Sequence, residues 1–237
     1  MESKYRPVPN DEEQQTFEKR SLLSPSKRYP DIPLLITHYS THPYLAWAII
    51  DRLLTSTAPA ESVANFQTVR YNITPSLELT DFVGYGPEVD KAWNHITYDV
   101  GDQMISRIEL DRLGLDATSL TVKDPKTGHV GYRVGIQVFH QLHCLNLLRQ
   151  ETYKEYYSHM GGDIDVEPED LRGHLNHCIE MLRTALMCQS DTGVFAFKYY
   201  EGFDGHWPDF STLHTCRNFN AIREWAFQHA VAFGDEE

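Results

Sequence analysis

Between Phe66 and Leu79 apolar and polar residues alternate, with Val69, Tyr71 and Ile73 on one side, which predicts a strand. A turn at Gly84-Tyr85-Gly86-Pro87 then leads into Glu88–Ile96, where Val89, Ala92 and Trp93 fall at helical spacing. Ile105 to Leu113 reads as another short helix, with Asp111 and Arg112 on its wet side. Asp124-Pro125-Lys126-Thr127-Gly128 has hairpin-turn chemistry and separates Leu120-Thr121-Val122 from Val130-Gly131-Tyr132-Arg133-Val134.

Beyond this hairpin the pattern becomes strongly helical. Ile136, His140, His143, Cys144 and Leu147 share one helical stripe, and apolar ends to a stripe predict a buried face. A loop through Gly161-Gly162-Asp163 ends at Glu167-Pro168-Glu169-Asp170, a good helix start: proline in the first turn, acids against the positive end of the dipole. Leu171, His174, His177, Cys178, Met181, Ala185 and Cys188 then share a face. A last helix is expected from Phe219 to Phe233, with Ile222, Trp225, Ala226 and His229 on its apolar side. These elements predict an α+β fold, mainly helical: a compact domain over residues 66–233, two motif-bearing helices packed together, and a minor β component. Upstream, residues 1–31 read as a disordered acidic and polar tail, and residues 32–65 as an irregular segment with a short helix at Tyr44–Thr55.

Charge narrows the function. Asp and Glu outnumber Lys and Arg by 34 to 21, for a net charge of −13. Such a surface repels phosphate backbones and anionic headgroups, so no nucleic-acid partner is expected. No stretch approaches the roughly 20 apolar residues that span a bilayer; Tyr44–Leu54 is about half that and contains Asp51 and Arg52. Met1–Arg20 lacks the basic and apolar regions of a signal peptide, so the chain reads as soluble. The sequon Asn72-Ile73-Thr74 is followed by Pro75 and carries little weight.

The chemistry concentrates in one repeated pattern, His140-Gln141-Leu142-His143-Cys144 and His174-Leu175-Asn176-His177-Cys178. On a helix, three residues turn about 300° and four about 400°, so the polar atoms of each motif fall within an arc of roughly 100°. Two such helices face to face bring four imidazoles, neutral nitrogen donors, to a common centre that suits a metal. The bland readings are a structural zinc site and a satisfied hydrogen-bond network. Zinc fingers, however, use Cys-x2-4-Cys spacing, and zinc proteases use His-Glu-x-x-His; neither pattern is present. Cys144, Cys178, Cys188 and Cys216 permit two disulfides, thiolate ligands or free thiols. Cys178 and Cys188 lie about 15 Å apart on an unbroken helix, too far to bridge, which leaves Cys188 with Cys216 or Cys144 if it pairs.

The two motifs in their settings, His140 to Arg149 and His174 to Arg183, resemble the ustYa-like oxidase family of fungal secondary metabolism. Leu186-Met187-Cys188-Gln189-Ser190-Asp191, His214-Thr215-Cys216-Arg217-Asn218-Phe219 and Gly86-Pro87-Glu88-Val89-Asp90-Lys91-Ala92-Trp93 match further family segments. The resemblance implies a natural-product oxidase that cyclises, desaturates or hydroxylates a small-molecule or peptide substrate, with mycotoxins and ribosomal cyclic peptides as the pathway class. It implies an active site of His140, His143, Cys144, His174, His177 and Cys178, with the four histidines as metal ligands. Copper is favoured over zinc or iron, because imidazole-rich sites suit it and oxygen chemistry needs a redox ion. The alternative is a non-catalytic, zinc- or disulfide-stabilised subunit of another oxidase; a homo- or hetero-oligomer with a related member fits either reading. The resemblance also implies a lumenal domain in the secretory pathway behind one membrane span. The apolar run for that span is missing here, which points to a soluble variant or a truncated gene model.

Several other residues have more than one reading. His214 is a group supporting the ligands from behind, a fifth ligand, or a structural hydrogen-bonder to backbone, and Asp191 orients a ligand histidine or caps a loop. His206 sits in an aromatic segment, and Tyr199 and Tyr200 line a substrate cleft or simply pack. Arg149 and Arg183 stand at equivalent places after each motif and either pair with acids or lie on solvated faces.

Overall fold

The computed structural model describes residues 58–71, 73 and 80–234. The expected tail, the Tyr44–Thr55 helix, the sequon and the far end of the first strand lie outside the described residues. Among those described, the helices are α1 (Pro87–Ile96), α2 (Arg107–Arg112), α3 (Gln137–Thr152), α4 (Lys154–Tyr157), α5 (Pro168–Gln189) and α6 (Phe219–Gln228). The strands are short: β1 (Phe66–Arg70), β2 (Gln103–Ile105), β3 (Thr121–Lys123), β4 (Val130–Val134), β5 (Ala196–Lys198), β6 (Trp207–Asp209) and β7 (Leu213–Arg217). The fold is mixed α+β and mainly helical, as the patterning predicts.

The expected hairpin forms as β3 and β4, closed by a hydrogen bond from Asp124 N–H to the His129 carbonyl. Strand β4 also pairs with β2, giving a three-stranded antiparallel sheet ordered β2-β4-β3. Ile105 therefore ends a strand instead of opening a helix. The helix starts two residues later because Ser106 caps it: the Ser106 hydroxyl accepts from Glu109 N–H while the Glu109 carboxylate accepts from Ser106 N–H. Strands β5, β6 and β7 arise in the aromatic stretch where no strand is expected, and β1 pairs antiparallel with β7, Phe66 opposite Arg217. Helix α6 stops at Gln228, short of Phe233. Its continuation is drawn off by Asp102, whose N–H donates to the Ala232 carbonyl and whose carbonyl accepts from Val231 N–H.

Helices α3 and α5 pack against each other. Between them lies a core of Cys144, Leu147, Leu171, Leu175 and Cys178, closed below by Tyr157 and Ile164. Each leucine so buried contributes about 1.5–3 kcal/mol. The opposite side of α3 presents Phe139 to a second core with Ala60, Val100, Ile222 and Ala226 of α6. Because α3 is wedged between two neighbours, its burial does not follow a single stripe. The expectation of one buried motif face is corrected accordingly: His140 and His177 are exposed, His143 and His174 half-buried, and only the two cysteines fully enclosed. No helix among the described residues is long and apolar enough to cross a membrane.

Candidate metal centre

Each motif helix is set by ordinary local rules. Pro168 occupies the first turn of α5, with Glu169 and Asp170 against the positive end of its dipole, and Ser190 closes it in the left-handed region at φ 41°. With α3 laid alongside, the four motif imidazoles converge. The ring centroids of His140 and His177 are 5.4 Å apart, those of His143 and His174 also 5.4 Å, and those of His140 and His143 6.1 Å. Across the helix pair, His143 Nε2 lies 3.4 Å from His174 Nε2. On the neighbouring side, ligand atoms of His140, Cys144 and His177 all lie within 4.8 Å of one another, with Cys144 Sγ 3.8 Å from His140 Nε2.

Electrostatics keep these donors available. His140 reaches the surface, but desolvation of its inner side by the second motif helix lowers its pKa, and repulsion from His177 and His174 adds to the effect. For His143 burial again dominates and outweighs the nearby Asp163 carboxylate, so its pKa is also lowered. Both imidazoles are therefore neutral near pH 7 with lone pairs to offer. Cys178 behaves differently. Burial and the adjacent Cys144 thiol push its pKa up to about 12, which keeps it a thiol, and it stands outside the His140–Cys144–His177 group. All four cysteines are free; Cys144 and Cys178 are buried, Cys216 is half-buried and Cys188 is exposed.

The donor set fits a metal ion. The ligand atoms that meet as a group are those of His140, Cys144 and His177, within 4.8 Å of one another, and the His143–His174 pair stands beside them with its Nε2 atoms 3.4 Å apart. Imidazoles with one thiol suit ions of intermediate softness, copper and zinc among them.

Two further residues complete the site. Tyr98, at the start of the 3-10 turn Tyr98–Val100, places its hydroxyl 2.8 Å from His143 Nδ1 and donates to Asp163 Oδ2 at 2.6 Å. Asp163, from the loop before α5, also lies 3.8 Å from His143 Nδ1. The spacing rules that expose the motifs are blind to both, because the fold brings them in from other segments. A cavity of about 540 Å³ opens beside His140 and His143, lined in part by Tyr98, Arg133, Gln137 and Phe139. Arg133 is held there by Asp102 at 2.7 Å.

His214 is not drawn into this cluster. Its Nδ1 lies 3.5 Å from Asp191 Oδ2, its Nε2 2.8 Å from the Thr212 hydroxyl, and its ring stacks on Tyr71 at 3.8 Å. Asp191 caps its loop, accepting from Gly193 N–H at 2.7 Å, and approaches no motif histidine. His206 packs on Tyr199 at 4.0 Å.

A chain with paired His-x-x-His-Cys helices in a mainly helical α+β fold defines a class of candidate metalloproteins, and comparison with known proteins gives that class a family. The family described as mycotoxin biosynthesis protein UstYa matches residues 32–229, and the chain belongs to it. Among curated relatives, the UstYa family oxidase phomYc of Diaporthe leptostromiformis is 38% identical over 159 residues, covering 64% of this chain and 59% of the relative. The UstYa family oxidase aprY of Aspergillus flavus is 31% identical over 156 residues, covering 63% and 46%. A protein named transacylase cctO, of Talaromyces islandicus, is 39% identical over 108 residues, covering 43% and 36%. The chain thus spans about half the length of the curated relatives it matches. No solved structure matches.

Proposed function

We propose that this protein is a copper-dependent oxidase of a fungal secondary-metabolite pathway, acting on a small-molecule or peptide substrate. The observation that carries the reading is the meeting of His140, Cys144 and His177 ligand atoms from two packed helices, with the His143–His174 pair beside them. Membership of a family whose curated relatives are named oxidases supports the reaction class. His140, His143, His174 and His177 would hold the ion. Copper bound there supplies one-electron exchange and reactivity toward dioxygen, which zinc does not.

The chain's own residues do the rest. Partial desolvation lowers the His140 and His143 pKa values, so no proton competes for their lone pairs near pH 7. The cavity beside them brings a substrate against the two imidazoles, with the exposed Tyr98 ring offering apolar surface and the paired Arg133 a fixed donor. Oxidative cyclisation, desaturation or hydroxylation would then depend on which substrate atom that cavity presents.

The edge formed by His140, Cys144 and His177 is also a donor set for zinc, and it favours one rival: a zinc-stabilised subunit without turnover. Metal analysis of the purified chain, joined to oxygen uptake with the products of neighbouring biosynthetic genes, separates the two. Stoichiometric copper with substrate-dependent oxygen uptake that His140→Ala and His177→Ala abolish supports the oxidase. Zinc alone, with no uptake, overturns it.

A further inference from the structure

We infer that Tyr98, anchored by Asp163, is a positioning residue that holds His143 in its Nδ1-protonated tautomer and turns the bare Nε2 toward His174. The protons can be counted. A phenol has one, and Tyr98 spends it on Asp163 Oδ2, which lies 2.6 Å away. An ionised carboxylate only accepts, so it returns none. The Tyr98 oxygen therefore meets His143 Nδ1, 2.8 Å away, as an acceptor, and Nδ1 must carry the hydrogen. A neutral imidazole has a single N–H, which leaves Nε2 with its lone pair exposed.

That lone pair points where it is useful. His143 Nε2 is the atom that lies 3.4 Å from His174 Nε2, at the crossing of the two motif helices. Of the two neutral tautomers, only the Nδ1–H form satisfies the hydroxyl oxygen that Asp163 has turned into an acceptor. The Tyr98 ring also stands edge-on to His143, with centroids 5.4 Å apart at 79°, and fixes the imidazole plane. The arrangement is a carboxylate acting on a candidate ligand through one intervening hydroxyl. Outer partners of this kind orient ligand histidines and are worth about 10–100-fold in metal affinity.

The metal half of this inference rests on the function proposed above; the tautomer half does not. The two are separated by working on the metal-free full chain with 15N-labelled histidine. Long-range proton–nitrogen correlation spectra at pH 7.5 should show His143 with a protonated Nδ1 and an unprotonated Nε2. Tyr98→Phe keeps the ring and removes the oxygen, and should release His143 to the Nε2–H form or a mixture. Asp163→Ala keeps the hydroxyl and frees its proton, so Tyr98 can then donate to Nδ1 and the tautomer should reverse. A role in packing alone predicts no reversal with Asp163→Ala. The inference is overturned if His143 is already Nε2–H in the unaltered chain, or if Asp163→Ala leaves the Nδ1–H tautomer in place. Copper(II) titration supplies the second readout: Tyr98→Phe should weaken binding about 10–100-fold. An unaltered chain that shows the Nδ1–H tautomer but binds no metal would sink the oxidase reading while leaving the Tyr98 assignment intact.

Discussion

Arg149 Nη2 lies 2.8 Å from Asp90 Oδ1, and this ion pair ties the first motif helix to α1. The guanidinium is almost enclosed, with its side chain 9% exposed. It also donates to the Asn146 amide oxygen, the Gly84 carbonyl and the Tyr157 hydroxyl, and it lies 5.7 Å from the Trp93 ring centroid and 5.1 Å from that of Tyr157. Tyr157 closes the network by donating to the same Asp90 oxygen at 2.6 Å. Arg183 occupies the equivalent place in the second motif but is 42% exposed and pairs with Glu180 one turn back. One repeated residue is thus structural and its twin is solvated.

The two arginines should respond differently to truncation. Removing the enclosed Arg149 strands a partly exposed Asp90 and breaks several charge-assisted hydrogen bonds, a loss of about 1.5–3 kcal/mol. Arg149→Ala should therefore lower the urea midpoint sharply, while Arg183→Ala leaves it where it was. Equal midpoints for the two variants would show that the Arg149 network does not bear on stability.

Two glycines give a contrast of the same kind. A Cβ on Gly131, in the central strand β4, would meet Met104 Cγ at 2.5 Å and the Ile105 carbonyl oxygen at 2.6 Å. The strand β2 backbone cannot yield, so Gly131→Ala should destabilise by about 1–3 kcal/mol. Gly173 lies inside α5, in a conformation any residue adopts, and a Cβ there would meet nothing within 4 Å. Gly173→Ala removes backbone entropy from the unfolded chain and should stabilise by about 0.5–1 kcal/mol. Thermal melts of both variants test the pair, and a destabilised Gly173→Ala would mean that the exposed side of α5 is covered in solution.

What is legible in the chain is local. The His and Cys spacing identifies both motif helices, Pro168 and its acids mark where the second begins, and Asp124 to Gly128 locate the hairpin. Pairing across long separations leaves no such mark. β7 is a strand because β1 lies beside it, and α6 ends early because Asp102 captures Val231 and Ala232. The single-stripe reading of α3 fails for a related reason: a helix with neighbours on two sides buries Phe139 and even Asn146, whose amide oxygen is satisfied by Arg149. Tyr98 and Asp163 are invisible in the sequence because neither belongs to a pattern. They become part of the site only when the loop before α5 and the turn after α1 meet at His143.

The cysteines should differ in reactivity by orders of magnitude. Cys188 is exposed at the end of α5, Cys216 is half-buried on β7, and Cys144 and Cys178 are sealed between the motif helices. At pH 8 a colorimetric thiol reagent should modify Cys188 at once and Cys216 more slowly. The sealed pair should react only as the chain unfolds, and Cys188→Ala should remove the fast phase. Cys178 adds an alkaline prediction. Its folded pKa, about 12, exceeds the ordinary value of 9.0, so stability should fall as pH rises above about 9, where the unfolded thiol ionises first. Fast labelling of four thiols in the folded chain would contradict the packing of α3 on α5.

Acid sensitivity follows from the histidines. The pKa values of His140 and His143 are held below the ordinary 6.5, chiefly by burial and then by neighbouring imidazoles, although Asp163 pulls His143 the other way. As pH falls, the unfolded chain takes up these protons before the folded one does. The unfolded state then binds more protons, and the linkage relation makes stability decline in that direction. The contribution is complete above about 6.5 and is lost as pH drops toward the depressed folded values. Metal-free protein should therefore show a denaturation midpoint that falls between pH 7.5 and 5.5, a window above the range in which most carboxylates titrate. A double variant, His140→Gln with His143→Gln, should flatten that slope, because glutamine keeps the polarity and removes the titration. Matching slopes for variant and unaltered chain would mean that these imidazoles are better hydrated than their place between α3 and α5 implies.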